Sequence, residues 1–411
     1  MKHLRIISAA LLSFLLSACG SDSSNSQTGA RCSANSQTVN WALLLEADAE
    51  KLSDYNLFEQ SCNPTTQTNS GGFPYDLTTA LFTDYSTKYR FIFMPPGTSA
   101  EYSEDEALEF PVGSVLVKTF SVPKNTSLRG FESEFGFDGE TLIETRLLIR
   151  KETGWVARPY VWNDEQTEAE LKLSGKSIAT SIVHNGEQLD FTYAVPDVAT
   201  CKQCHQLSSE IDGEDTSRFA PIGPKARLLN KSITYADGEQ NQLAYMIENQ
   251  LLTGAPADLT TINTIPNFSD STDLSLKTSS ELESLAKGYL DINCAHCHRR
   301  TVTETDIGSD GKNDTLMDGK AGYSALLLEY WRDYGSHSNM HGECKIPIAY
   351  SVQGLAFDIV PGDSSKSIMP YRMTLQTAKR MPEAGRDLVH QEGVELINAW
   401  IDSMASDNCG Q

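Results

Sequence analysis

Two five-residue segments constrain this chain more than any other feature. Cys201-Lys202-Gln203-Cys204-His205 and Cys294-Ala295-His296-Cys297-His298 each set two cysteines three positions apart and follow them at once with histidine. That arrangement is the attachment pattern of a c-type haem. Thiols one short turn apart suit thioether bonds to the two vinyl groups on one porphyrin edge, and the next histidine falls beneath the iron as its proximal ligand. The pattern predicts thioethers at Cys201, Cys204, Cys294 and Cys297, iron ligation by His205 and His298, and two covalently bound haem c groups. Other chemistries of paired cysteines fit less well. A zinc ribbon separates its pairs by only about 15–20 residues, and a redox dithiol needs neither a second copy nor a histidine after both.

A six-coordinate haem iron takes a second side-chain ligand, commonly a thioether or an imidazole. For the second haem the expected distal ligand is Met381, in the turn-rich Arg380-Met381-Pro382 ahead of the last helix; Met369, also followed by proline, is the runner-up. For the first haem the expected ligand is Met246, although its place on an apolar helix stripe suits core packing equally well. His184, His337 and His341 are the imidazole alternatives, and an iron position open to water is another. His296 lies inside a motif, and its side chain is expected to point away from the iron.

The N-terminal residues and the remaining cysteines speak to compartment. Lys2 and Arg5 precede an apolar run, Ile6 to Leu16, that is too short to span a bilayer. Leu16-Ser17-Ala18-Cys19 is similar to a bacterial lipoprotein processing site, which implies cleavage before Cys19 and lipid on its thiol; a plain secretory signal is the alternative. Gly20 stands where an aspartate favours inner-membrane retention, so the outer membrane is preferred. The protein is then expected on the periplasmic side of the bacterial envelope, held to the membrane by lipid alone. With Cys19 lipidated and four cysteines on haem, Cys32, Cys62, Cys344 and Cys409 remain, an even number suited to disulfides. Cys32–Cys62 with Cys344–Cys409 is the simplest of the possible pairings. A net charge of −22 repels nucleic acid and anionic headgroups and favours a basic redox partner protein.

The rest of the pattern predicts an α+β multidomain chain. Residues 1–18 read as the signal peptide, 19–38 as a flexible tether, 39–196 as a mainly-β, sandwich-like domain, 197–275 as a first haem region and 276–411 as a second, cytochrome c-like one. Tyr89 to Phe93, Ser114 to Phe120, Leu142 to Ile149 and Trp155 to Trp162 are rich in β-branched and aromatic residues. Asn185-Gly186 between two such runs is a strong hairpin signal. Beyond Pro196 helical periodicity takes over at Glu239 to Leu252, in a helix started by a Ser280/Glu283 capping box, and at Gln391 to Met404.

In combination these residues resemble a known family. The marks are Pro74-Tyr75-Asp76-Leu77, Phe110-Pro111-Val112-Gly113-Ser114-Val115, Tyr160-Val161-Trp162-Asn163 and Tyr193-Ala194-Val195-Pro196, then Asn241-Gln242-Leu243, Asn293 with the second motif, Pro361-Gly362-Asp363 and Met381-Pro382. The chain resembles the dihaem c-type cytochrome lipoproteins of proteobacteria described as conserved proteins found near parallel β-helix repeat proteins. The resemblance implies export and two covalent haems, without a settled reaction. Three functions are therefore carried forward: single-electron transfer between periplasmic redox partners, a dihaem enzyme (peroxidase-like or acting on a small substrate) with one open iron, and a β domain that binds a partner or carbohydrate with accessory haems.

Overall fold

Strands that are apolar in alternating positions on both sides need cover on both faces, and this requirement organises the molecule. The computed structural model describes residues 37–129, 140–211, 214–299, 318–332, 335–348 and 350–410. Strand content of 29% beside 25% helix makes the fold mixed α and β. The central sheet has six strands in the order β1-β2-β4-β5-β6-β7. They are β1 (Gly72–Pro74), β2 (Thr87–Phe93), β4 (Val115–Pro123), β5 (Glu140–Lys151), β6 (Gly154–Trp162) and β7 (Ala169–Leu171). All neighbours are antiparallel. The short β3 (Ala100–Glu101) instead pairs in parallel with Leu252–Thr253.

Alternation decides what each face buries. Phe91, Phe93, Val115, Val117, Leu147 and Ile149 turn to one side, where Leu44 of helix α1 (Trp41–Glu46), Leu52, Tyr55 and Phe58 cover them. Ile92, Leu116 and Leu148 turn to the other. There they meet α3 (Ala226–Leu229), Leu243 and Met246 of α4 (Gln242–Glu248), and Ile265. A sandwich was expected from the strand pattern; the second layer is built by helices and connecting segments instead. The alternation states which residues are buried but not what buries them. A separate hairpin joins β8 (Lys176–His184) to β9 (Glu187–Val195), with Asn185 at φ +50° and Gly186 at +84°, the left-handed pair a tight two-residue turn requires.

Helix boundaries moved where capping chemistry competed. The long helix α5 spans Ser279–Asn293 and is capped by Thr278 with Glu281, not by Ser280 with Glu283. The two signatures overlap, the earlier one adds helix, and Glu283 is left to pair with Lys287 one turn on at 2.6 Å. Likewise α4 begins only at Gln242, because Asn241 accepts from the backbone N–H groups of Leu243 and Ala244, while Gly238–Asn241 pairs with Ser232–Tyr235 as a strand. The last helix, Gln391–Ser403, buries Leu396, Ile397, Trp400 and Ile401 against Leu282, Leu285, Ala286 and Leu290 of α5.

A disulfide joins Cys344 to Cys409. Cys62 is buried and disulfide-bonded; its expected partner Cys32, like Cys19, lies outside the described residues. Among the described residues no helix is long and apolar enough to cross a membrane.

One fully buried carboxylate ties α5 to α3. Asp291 accepts from Lys225 Nζ at 3.0 Å, Arg227 Nη2 at 3.0 Å and the backbone N–H of Tyr330 at 3.1 Å. Burial opposes the charge, but Arg227 and Lys225 outweigh it and hold Asp291 well below the usual carboxylate range. With the folded pKa depressed, its stabilisation is fully present above the ordinary carboxylate pKa and is lost only as pH falls through the depressed value. Asp291→Ala should cost about 3–5 kcal/mol, because two buried cations lose their counter-charge; urea denaturation at neutral pH measures it.

Candidate functional site

The first CxxCH motif occupies a helix with a defined start. Strand β9 ends at Val195, and Asp197 caps α2 (Val198–His205) by accepting from the N–H of Thr200 at 2.6 Å. Three-residue spacing sets Cys201 and Cys204 on neighbouring positions of one helix face. At the helix end, His205 Nδ1 lies 2.8 Å from the carbonyl oxygen of Ala220. Only a protonated Nδ1 can donate there, so the tautomer assigned from this contact leaves the Nε2 lone pair free for a metal. Burial pushes His205 down to about 4 and keeps it neutral at pH 7.

The second motif hangs from the end of α5. Asn293 clamps the exit: its Oδ1 accepts from Phe82 N at 2.7 Å, and its Nδ2 donates to the Tyr289 carbonyl at 3.0 Å. Cys294 is the C-cap residue. His298 is pushed down to about 4, again chiefly by burial, with Ser324 Oγ 3.5 Å from its Nδ1.

The fold brings the two motifs together. Cys204 Sγ, a ring nitrogen of His296 and Cys297 Sγ all lie within 4.8 Å of one another. Cys297 Sγ also lies 3.3 Å from the carbonyl oxygen of Gln203. His296 lies at this junction and lines the adjoining cavity, with a buried Nδ1 that has no hydrogen-bond partner among the described residues. Its neighbour across the junction, Cys204, is held below the usual thiol range by the Cys297 S–H and by His296, whereas burial raises Cys294 to about 12. The cysteines of both motifs are free thiols.

Beside the junction lies a cavity of about 700 Å³, within the range that holds small organic ligands and cofactors. Cys201, Cys204 and His205 line it from α2, and Pro221 to Pro224 follow from the segment that also carries Ala220. The sheet contributes Leu116, Leu148 and Ala157, together with two cations, Lys118 and Arg146. Burial first, then Arg90 and Arg146, push Lys118 down to about 7. From the helical side come Tyr289, Met373, Met381 and Val394. The Met381 backbone is fastened twice: its N–H donates to the Arg372 carbonyl at 3.0 Å, and its own carbonyl accepts from Arg386 at 2.8 Å. The same guanidinium also holds the carbonyls of Met373 and Leu375.

The other distal candidates lie elsewhere. Met246 packs in the core with Leu243, 1% exposed and outside the cavity lining. Met369 packs against the core of the last helix. His184 bonds to Thr126 Oγ1 at 2.8 Å and to Glu392 at 2.9 Å, and His341 is buried with its ring edge-on to Trp400. The side chain of His337 lies outside the described residues.

Free thiols, a histidine whose Nδ1 is held by a backbone carbonyl, and a cavity that sets apolar side chains beside cations fit a covalently attached haem. Sequence reasoning missed the polar features of this site. Tyr289 OH, His390 and Asp270 form a chain at its edge, with contacts of 3.0 and 3.1 Å, and no local motif announces residues so far apart in sequence. Lys118 did leave a signal, since it interrupts Leu116, Phe120 and Val122 on one face of its strand; Arg146 shares its face with Glu144 and Arg150 and left none. Comparison with family models, with curated proteins and with solved structures gives no match.

Reactivity follows the thiolate. In the haem-free chain at pH 7, iodoacetamide should modify Cys204 roughly tenfold or more faster than Cys294, as read by peptide mass mapping.

Proposed function

We propose that this chain is a dihaem c-type cytochrome that carries single electrons between redox partners on the periplasmic side of the bacterial envelope, anchored there by lipid on Cys19. The observation that carries the reading is the meeting of two CxxCH segments, far apart in sequence, at one junction, where His296 of the second reaches the cavity lined by Cys201, Cys204 and His205 of the first. When bound, each haem supplies an iron that gains and loses one electron. The rest is the work of this chain's residues. Cys201 with Cys204 and Cys294 with Cys297 would hold the two groups through thioethers. His205, fixed by the Ala220 carbonyl, and His298 would ligate the irons. Met381, fastened by Arg386, is the distal ligand proposed for the second haem. In this reading α5 and Gln391–Ser403 are a cytochrome c-like helix pair, and the sheet is the wall of the first haem's cavity.

A second reading has one observation in its favour. Met246 is a core residue, so α4 offers no thioether to the first iron. A dihaem enzyme with one open iron position would use that vacancy for a small substrate such as a peroxide.

The test is the full-length protein made in a host that matures c-type cytochromes. Two haems per chain are expected, falling to one in Cys201→Ala/Cys204→Ala; a product without haem overturns the proposal. Carbon monoxide should shift about half more of the reduced spectrum in Met381→Ala than in the native protein, because the distal ligand of one iron is gone. A half-shift already present in the native protein favours the enzyme.

A further inference from the structure

One row of side chains in the sheet is not accounted for by electron carriage. Arg90 of β2 stands opposite Lys118 of β4, and Lys118 stands opposite Arg146 of β5. Residues directly opposite on antiparallel strands project to the same face. Three cations are therefore side by side across the middle of the sheet, on the face shared with Leu116 and Leu148 that walls the cavity. Lys118 Nζ is 5.8 Å from the ring centre of Phe120, and the Arg146 guanidinium is 4.3 Å from it.

Such a row is costly without counter-charge, because like charges placed opposite each other destabilise a sheet and enclosed charges lose their hydration. Two of the three are answered within the protein. Arg90 donates to Asp76 at 3.1 Å. Arg146 makes a two-pronged contact with Glu144 at 2.6 and 2.8 Å, and that carboxylate, fully buried, also accepts from Tyr193 OH at 2.7 Å. The central cation is different. Among the described residues Lys118 Nζ has no hydrogen-bond or ion-pair partner, and its side chain lines the same cavity as Cys201, Cys204 and His205. The arrangement supplies positive charge at one place on an otherwise apolar wall and leaves one ammonium to be answered from the cavity itself.

We propose that the Arg90–Lys118–Arg146 row is a carboxylate-binding wall, and that Lys118 takes an anionic carboxylate of the group attached at Cys201 and Cys204. This rests on the haem reading and deepens it, since the porphyrin of a haem carries two propionate carboxylates that need partners when the macrocycle is buried. A small free carboxylate has the same chemistry and is the other source to be distinguished.

The experiment uses full-length protein matured with haem, as the native chain, Lys118→Met and Lys118→Arg. Haem content, both midpoint potentials and the response of the spectrum to added acetate are measured. A fixed cation near the iron favours its reduced, less positive form. Lys118→Met should therefore keep two haems per chain, shift one midpoint downward and leave the other in place. Lys118→Arg should restore the shifted midpoint, and acetate should change no spectrum. If the methionine variant fails to mature, Lys118→Gln gives the same reading with a polar side chain. Two unchanged midpoints at full haem content overturn the proposal. An acetate response in the native protein that Lys118→Met abolishes overturns the assignment to the porphyrin's own carboxylate. A native chain without haem defeats the haem reading instead, so the two failures are separable.

Discussion

The arrangement of this molecule depends on one buried carboxylate. Asp291 lies on α5 three residues before Cys294, and it holds Lys225 and Arg227, which follow the first motif's Pro221–Pro224 segment. Each partner arrives from a different part of the chain, so the interaction fixes where the second motif stands relative to the segment that buttresses His205. An apolar contact in its place would bury area without selecting a register. A charged cluster of this kind has a narrow set of acceptable geometries, because each misplaced cation is left unpaired in the interior. The neighbouring clamp at Asn293 acts in the same sense, tying the end of α5 to Phe82.

Much of the fold was legible because it rests on local rules. The Asn185-Gly186 hairpin, the paired strands on either side of Thr153-Gly154, and the last helix all follow from turn chemistry and periodicity, and they stand where those rules put them. The capping box slipped by two residues because two signatures overlap, and local reasoning has no way to rank them. The second layer of the expected sandwich failed for a different reason. Strand alternation reports burial, and helices bury a sheet as well as another sheet does.

At the candidate site the limits are of the same kind. The cysteines and histidines of each motif were visible because they are adjacent in sequence. Their convergence on one junction was not, and neither was the place of His296 between them. Long-range side-chain chains such as Tyr289–His390–Asp270 have no periodic trace at all. Arg386 is a similar case: one guanidinium gathers the carbonyls of Met373, Leu375, Met381 and Leu388, giving an irregular stretch of backbone a single shared donor. Loops of this sort are ordered by one residue rather than by a repeating pattern, so a reading based on repeats passes over them.

The closeness of Cys204 and Cys297 has a consequence for the order in which such a protein can be made. In the compartment where Cys344 and Cys409 must be joined by oxidation, two free thiols held this near would be joined as well. That bond would run between the two motifs and consume one sulfur from each. A chain meant to carry thioethers at both therefore has to receive them before α2 and the end of α5 come together. On the proposed haem reading, biogenesis acquires a direction: attachment first, docking of the two segments second. The native contact itself is the trap that a premature collapse would spring.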